Sequence, residues 1–184
     1  MVDPNRLKAF NEERLLEHQK HLFFLSESLT NKGIDVDKVL NKISDFQIAI
    51  PSWALGTGGT RFGRFPQGGE PSNLVDKIKD IGALHTLNKS SGAVSLHIPW
   101  DIPEDYTVIK TLASELDIKF DAVNSNTFQD QPNNVHSYKF GSLSHIDAVV
   151  RKEAIQHNKE VIDHGVQLGS KALTVWLADG SSFA

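Results

Sequence analysis

Lys171-Ala-Leu-Thr-Val-Trp-Leu-Ala-Asp179 is the stretch of sequence that decides the fold class. Its apolar, β-branched and aromatic residues are typical of a strand, and three similar stretches precede it at Phe46–Ile50, Ala93–Ile98 and Ile118–Asn124. The segments between these stretches have the apolar spacing of amphipathic helices. This alternation predicts a parallel sheet with right-handed crossovers, and hence an α/β fold.

Two helices are predicted ahead of the first strand. Asp3 and Pro4 have the residue types of an N-cap and a first helical position, which predicts a long first helix. Asp35 is the predicted cap of a short second helix. We therefore divide the chain into an N-terminal helical extension over residues 1–42 and a strand–helix region over residues 43–184.

Three further helices are predicted between the strands. Ser72 and Ser144 have residue types that cap helices, and Pro103 has the type favoured at a first helical position. The resulting order is two helices followed by four strands joined by three helices.

The bulk composition excludes several classes of protein. The chain has 184 residues, of which 39% are hydrophobic and 23% charged, as in ordinary globular proteins. Its net charge of −4 does not favour nucleic acid or an anionic membrane as a partner. The chain contains no Cys, which excludes disulfides and thiolate metal sites. Its first residues lack a signal-peptide pattern, so a cytoplasmic location is expected.

A long Gly-rich loop, Pro51–Pro71, follows the first predicted strand. It is not a phosphate loop, because Arg64 and Phe65 stand where the motif needs Lys and then Ser or Thr. It is not a dinucleotide motif either, because Arg61 replaces the third Gly. A flexible surface loop is one interpretation of this segment. Its aromatic residues favour contact with a ligand or another subunit instead: Trp53, Phe62 and Phe65.

Polar and aromatic residues also follow the other three predicted strands. His97 and Asp101 end the second strand, where an imidazole oriented by a carboxylate could bind a sugar hydroxyl. Asn124 opens an amide- and hydroxyl-rich segment after the third strand, and Trp176 and Asp179 end the fourth. The alternatives are a core histidine, a capped turn, and a core tryptophan followed by a turn. In α/β proteins, ligands bind at these carboxyl ends of strands.

Metal ligation within this chain is not predicted. His18 and His21 share one predicted helix face, and His157 and His164 share another. Neither pair has a carboxylate placed as a third ligand. All four histidines are therefore interpreted as surface or helix-packing residues.

Four segments together resemble a known family. Pro51–Phe62, Leu96–Asp101, Asn124–Gln129 and Trp176–Ser181 look like the corresponding segments of the L-rhamnose isomerases, and in particular of the branch that accepts other aldoses and ketoses. The resemblance covers nearly the whole chain. It implies a partial (β/α)8 TIM barrel of about four βα units, the first half of such a barrel.

The resemblance also implies an activity and a set of sugar contacts. The family interconverts an aldose and its ketose with Mn²⁺ or another divalent metal, whose ligands come from later strands. His97 is implied to contact the sugar, Trp53 and Trp176 to wall the pocket, and Phe62 to cap the site of a neighbouring subunit in a tetramer. This chain would then be an N-terminal portion that has no catalytic residue, binds no metal and is inactive alone.

Two other functions remain open from the sequence. The half-barrel could be a non-catalytic sugar-binding or assembly module. It could also belong to a different barrel enzyme that uses phosphosugars, with Arg61 and Arg64 on the phosphate.

Overall fold

The computed structural model describes residues 3–56, 68–130 and 134–177. The chain begins with two helices, α1 (Pro4–Thr30) and α2 (Val36–Ser44). Three further helices follow, α3 (Leu74–Asn88), α4 (Tyr106–Glu115) and α5 (Ala148–Leu168). They alternate with four strands, β1 (Ala49–Pro51), β2 (Ala93–Ile98), β3 (Lys119–Thr127) and β4 (Ala172–Leu177).

The two N-terminal helices begin at their predicted caps. The Asp3 side chain accepts a hydrogen bond from the Asn5 N–H at 2.9 Å, and Asp35 accepts one from the Lys38 N–H at 3.0 Å. These bonds satisfy backbone donors that a helix leaves unpaired at its first turn. Helix α2 continues to Ser44 and so crosses the boundary that was placed between residues 42 and 43. The division of the chain into two regions stays a prediction.

The predicted starts of the other three helices were wrong by a few residues. Each helix is capped by an Asn or Asp that lies further along the chain than the Ser or Pro chosen from the sequence: Asn73, Asp105 and Asp147. These side chains accept hydrogen bonds from N–H groups of the first turn. Because several capping residue types occur together in these loops, residue type alone does not select the cap.

The four strands form one parallel sheet in the order β1-β2-β3-β4. This confirms the predicted α/β class and the predicted parallel pairing. The strand β1 is shorter than predicted, whereas β3 continues past Asn124 to Thr127. Closure of such a sheet into a barrel stays a prediction.

The two faces of the sheet differ in chemistry. Helices α3, α4 and α5 cover one face and form the apolar core with it. Leu96 and Val123 are paired across β2 and β3 and are buried in this core. Their neighbours His97 and Asn124 are also paired across the two strands and, because side chains alternate along a strand, lie on the opposite face. The sheet therefore presents a polar face away from its helices.

Close packing of α5 on β3 depends on Gly165. A Cβ at this position would lie 2.8 Å from Cγ2 of Val123, which is 2% exposed and cannot move freely. We expect Gly165→Val to lower the free energy of unfolding by about 1–3 kcal/mol, measured by urea denaturation. The matched control is Gln167→Val on the exposed side of the same helix, which changes only helix propensity, by about half a kcal/mol. Equal effects of both variants would contradict this account of the packing.

None of the described helices is both long enough and apolar enough to span a membrane.

Candidate functional site

The carboxyl ends of the strands carry an unusual concentration of buried polar side chains. Polar residues are buried mainly when they are hydrogen-bonded or when they belong to a site. Here they lie at or just after the carboxyl ends of β1, β2 and β3, and all seven are less than 4% exposed: Ser52, His97, Asp101, Asn124, Ser125, Asn126 and Thr127. The parallel arrangement brings these strand ends together at one edge of the sheet.

The His97 imidazole is the centre of an aromatic cluster at this edge. Its ring stacks on Trp100, with centroids 4.1 Å apart and an interplanar angle of 27°. Trp53 and Phe128 contact it edge to face, at 5.5 Å and 5.8 Å. Phe128 also contacts Trp176, at 6.0 Å. We call these five residues the aromatic cluster; three of them come directly after the ends of β1, β2 and β3.

Burial fixes the protonation state of His97. Only 3% of the residue is exposed, and desolvation lowers the pKa of its imidazole to about 4, against the opposing effect of the nearby Asp101 carboxylate. The ring is therefore neutral at physiological pH. A neutral imidazole has one donor and one acceptor nitrogen, which suits a hydroxyl group better than a charged ligand.

Three polar side chains at the edge have buried atoms without a hydrogen bond. The Nε2 atom of His97, the Oγ atom of Ser125 and both amide atoms of Asn126 have no partner of standard geometry among the described residues. The Asn126 amide nevertheless lies near enough to the His97 ring to raise its pKa. An unsatisfied buried polar group costs about 1–3 kcal/mol, so these groups are suited to a polar ligand.

A buried carboxylate lies beneath the cluster. Asp101 is 1% exposed. Its Oδ1 accepts from Lys77 Nζ at 2.7 Å, and its Oδ2 accepts from the His97 backbone N–H at 2.8 Å and from the Ser52 hydroxyl. The sequence predicted that this carboxylate would orient the imidazole itself. In the structure it holds the backbone of His97 instead, because the carboxylate follows the strand end by one tight turn.

The Trp176 indole is held in place by β3. Its Nε1 donates to Asn124 Oδ1 at 3.0 Å, and Asn124 Nδ2 donates to the Leu96 carbonyl at 2.9 Å. The Thr127 hydroxyl donates to the Trp176 carbonyl. With 45% of the residue exposed, the indole leaves a fixed apolar surface open to a ligand.

The two histidines predicted on α5 contribute to packing. The Asn126 backbone N–H donates to His157 Nε2 at 3.0 Å, which ties α5 to the end of β3. His164 Nδ1 shares a hydrogen bond with the Tyr106 hydroxyl on α4. Their interpretation as helix-packing residues is confirmed. His18 and His21 lie exposed on α1.

The structure brings together five of the residues singled out from the sequence: Trp53, His97, Asp101, Asn124 and Trp176. The other predicted positions lie outside the described residues: Phe62, Phe65, Asp179, Arg61 and Arg64. The side chains of Asp101 and Asn124 form hydrogen bonds within the protein and so help to hold the aromatic cluster in position.

Sequence reasoning missed Lys77, Trp100 and Phe128. The two aromatic residues lie within segments that were recognised, but the sequence does not tell which of several neighbouring rings turns toward His97. Lys77 carried a signal of its own. It lies three residues after Leu74 and four before Ile81, on the apolar face of α3, where a cation needs a buried partner.

The described residues do not contain a ready-made metal centre. No group of three or more His, Cys, Asp or Glu side chains that could hold a metal ion occurs within residues 3–56, 68–130 and 134–177. In this part of the chain the site supplies aromatic surface and hydrogen bonds, which are the means of binding an uncharged polyol.

The low pKa of His97 predicts a loss of stability in acid. The unfolded state takes up a proton near pH 6.5 and the folded state only near pH 4. Over that interval the free energy of unfolding should therefore fall as the pH falls, by up to about 1.4 kcal/mol per pH unit. We expect His97→Gln to reduce this slope in urea denaturation, and His21→Gln on exposed α1 to leave it unchanged. A small slope should remain, since burial also lowers the pKa of His157; a slope as steep as in the wild type would contradict the assignment.

Two curated proteins match the chain closely. It is 49% identical over 183 residues to a probable sugar isomerase of Rhizobium meliloti, an alignment that covers 100% of this chain and 43% of that protein. It is 49% identical over 173 residues to a probable sugar isomerase of Mesorhizobium japonicum, covering 94% of this chain and 40% of that protein. The chain thus spans less than half the length of these curated relatives. No protein-family model matches it.

Proposed function

We propose that this chain forms the sugar-binding N-terminal part of a metal-dependent isomerase that interconverts L-rhamnose and L-rhamnulose. The proposal combines the likeness to two probable sugar isomerases with the chemistry of the strand ends. The observation that carries it is a neutral, buried imidazole in contact with two indoles and a phenyl ring, with a third indole against that phenyl ring, at the edge where parallel α/β sheets bind ligands.

The aromatic cluster matches the two surfaces of a sugar. A sugar ring has faces of C–H groups, which pack against the indoles, and a rim of hydroxyl groups, which need hydrogen bonds. In this proposal the half-exposed Trp176 receives a C–H face, and His97 Nε2 bonds a hydroxyl or the ring oxygen. Because the imidazole stays neutral far below pH 7, these residues orient the sugar rather than exchange protons with it.

A divalent metal ion such as Mn²⁺, when bound, would hold sugar oxygens and assist the hydrogen shift between C1 and C2. The described residues do not form a ligand group for such an ion, so the proposal places its ligands outside them. A tetramer in which Phe62 reaches a neighbouring site is likewise part of the proposal.

The test is to incubate the full-length natural protein with L-rhamnose and Mn²⁺ and to measure L-rhamnulose. We expect a ketose product, loss of activity with EDTA, and recovery when Mn²⁺ is restored. A panel of other aldoses, measured in parallel, gives the preferred sugar. Active-site integrity is checked by saturable quenching of tryptophan fluorescence with each sugar.

The result that would contradict the proposal is a folded full-length protein that forms no ketose from any aldose. Saturable binding of L-rhamnose without turnover would favour the sugar-binding module. Specific binding of a sugar phosphate, but not of the free sugar, would favour the interpretation as a phosphosugar enzyme.

A further inference from the structure

We propose that Lys77 and Asp101 form a positioning pair that sets the geometry of the aromatic cluster for sugar binding. This inference rests on the proposed function and adds a role for two residues that do not themselves face the sugar. The inference is drawn from the positions of the groups that donate hydrogen bonds to the buried Asp101 carboxylate.

The Asp101 carboxylate joins three separate parts of the fold. Lys77 reaches it from α3, Ser52 from the short 3-10 turn Ser52–Ala54 after β1, and the His97 N–H from the carboxyl end of β2. All four groups are buried, and the Lys77 and Asp101 side chains are only 7% and 1% exposed. An ion pair screened from water in this way is rigid and directional.

Each hydrogen bond of this network is adjacent to an aromatic ring of the cluster. Ser52 immediately precedes Trp53, and Asp101 immediately follows Trp100. The third bond fixes the backbone of His97 itself. One carboxylate thus holds the backbone at the His97 ring and next to the two indoles that contact this ring.

The Lys77 side chain also packs against the chain that follows β1, at Gly56. A Cβ placed on Gly56 would lie 2.8 Å from Lys77 Cε and 2.9 Å from the Pro71 carbonyl oxygen. The lysine stem therefore passes close beneath the chain at Gly56, where only glycine leaves room for it. Loss of the lysine would leave the Asp101 carboxylate without its counter-ion. It would also remove the side chain that packs against the backbone at Gly56.

Stability alone does not account for such a pair. Replacing a buried ion pair by apolar residues of similar volume is often neutral or stabilising, so a buried pair is weak evidence of a stabilising role. An ionic network that contacts the backbone beside three site residues is better suited to fixing their orientation. A stabilising role and a positioning role can be distinguished by measuring the geometry of the aromatic rings in fully folded protein.

The chain provides that readout, because its only three tryptophans are Trp53, Trp100 and Trp176. All of its indole near-ultraviolet circular dichroism therefore arises from the aromatic cluster. The experiment compares Lys77→Met with Lys79→Met, two residues along α3, where the lysine is exposed and lies 3.9 Å from Asp76. Far-ultraviolet circular dichroism checks that each variant is folded at the temperature used.

We expect Lys77→Met to lose most of the near-ultraviolet signal while it keeps its helical signal, and Lys79→Met to keep both. In the full-length protein, Lys77→Met should raise the KM for L-rhamnose by about tenfold or more, since small displacements of positioning groups have effects of up to about 10²-fold. A folded Lys77→Met variant with the near-ultraviolet signal and the KM of Lys79→Met would overturn the inference.

A second variant covers the case in which Lys77→Met does not fold. Ser52→Ala removes one hydrogen bond to Asp101 and leaves its charge paired. We expect this variant to fold, to lose the part of the near-ultraviolet signal that arises from Trp53, and to raise KM less than Lys77→Met. An unchanged spectrum and an unchanged KM in Ser52→Ala would again overturn the inference.

The two proposals fail in different ways. If the protein is not a sugar isomerase, no ketose forms with the wild type, but Lys77→Met still changes the spectrum. If the pair has no positioning role, the wild type forms ketose and the spectra of Lys77→Met and Lys79→Met are alike.

Discussion

Replacing His97 with alanine in the full-length protein is expected to lower kcat/KM for L-rhamnose by roughly 10²-fold. The change removes the Nε2 atom that is proposed to bond the sugar and the ring that Trp53, Trp100 and Phe128 contact. Steady-state kinetics at neutral pH with saturating Mn²⁺ measure the effect. His21→Ala, on the exposed face of α1, is the control and should retain wild-type kinetics.

A second replacement at the same position separates the two contributions of the imidazole. His97→Phe keeps an aromatic ring for stacking but has no nitrogen to bond a hydroxyl. We expect its spectrum in the near ultraviolet to stay close to that of the wild type and its kcat/KM to fall nearly as far as in His97→Ala. Wild-type kinetics in both variants would remove His97 from the sugar site.

Asp101→Ala is expected to lower the free energy of unfolding by about 3–5 kcal/mol, the range for breaking one partner out of a buried ion pair. It leaves the Lys77 ammonium, the Ser52 hydroxyl and the His97 N–H without their common acceptor. Urea denaturation at pH 7 measures the loss. Asp163→Ala removes an exposed carboxylate on α5 and should change the free energy of unfolding by less than about 0.5 kcal/mol.

A double variant identifies the cause of that loss. If an unpaired buried ammonium is responsible, adding Lys77→Met to Asp101→Ala should restore part of the stability, because the remaining charge is then gone. Additive losses in the double variant would show that the two residues act independently. A loss in Asp101→Ala no larger than in Asp163→Ala would contradict the buried network itself.

Periodicity and residue type were sufficient to predict the α/β class, the parallel pairing and the grouping of polar and aromatic residues at the strand ends; that a sugar binds there stays a prediction. They were sufficient because apolar and β-branched residues run along whole segments. Ala93–Ile98 is largely buried, whereas Ala172–Leu177 pairs with β3 although its side chains are mostly exposed. Helix starts were less well predicted, since Ser72 and Asn73 are both good caps and only the backbone geometry selects Asn73.

The supporting network could not be predicted in the same way. The partners of Asp101 are 49, 24 and 4 residues away in the sequence, and no local pattern relates Asp101 to the two distant partners. Lys77 interrupts an apolar helix face, which indicates a buried partner but not its identity. For the same reason the sequence suggested that Asp101 would hold the His97 ring, whereas the carboxylate accepts its backbone N–H.

The most direct test of sugar binding at the strand ends is a titration of this chain with L-rhamnose, followed by the NMR signals of its three indole Nε1–H groups and the His97 imidazole. We expect saturable shifts of the His97 and Trp176 signals, weakened in Lys77→Met and kept in Lys79→Met. Shifts that do not saturate, or that spare His97 and all three indoles, would contradict the claim that the sugar binds at the carboxyl edge of the sheet.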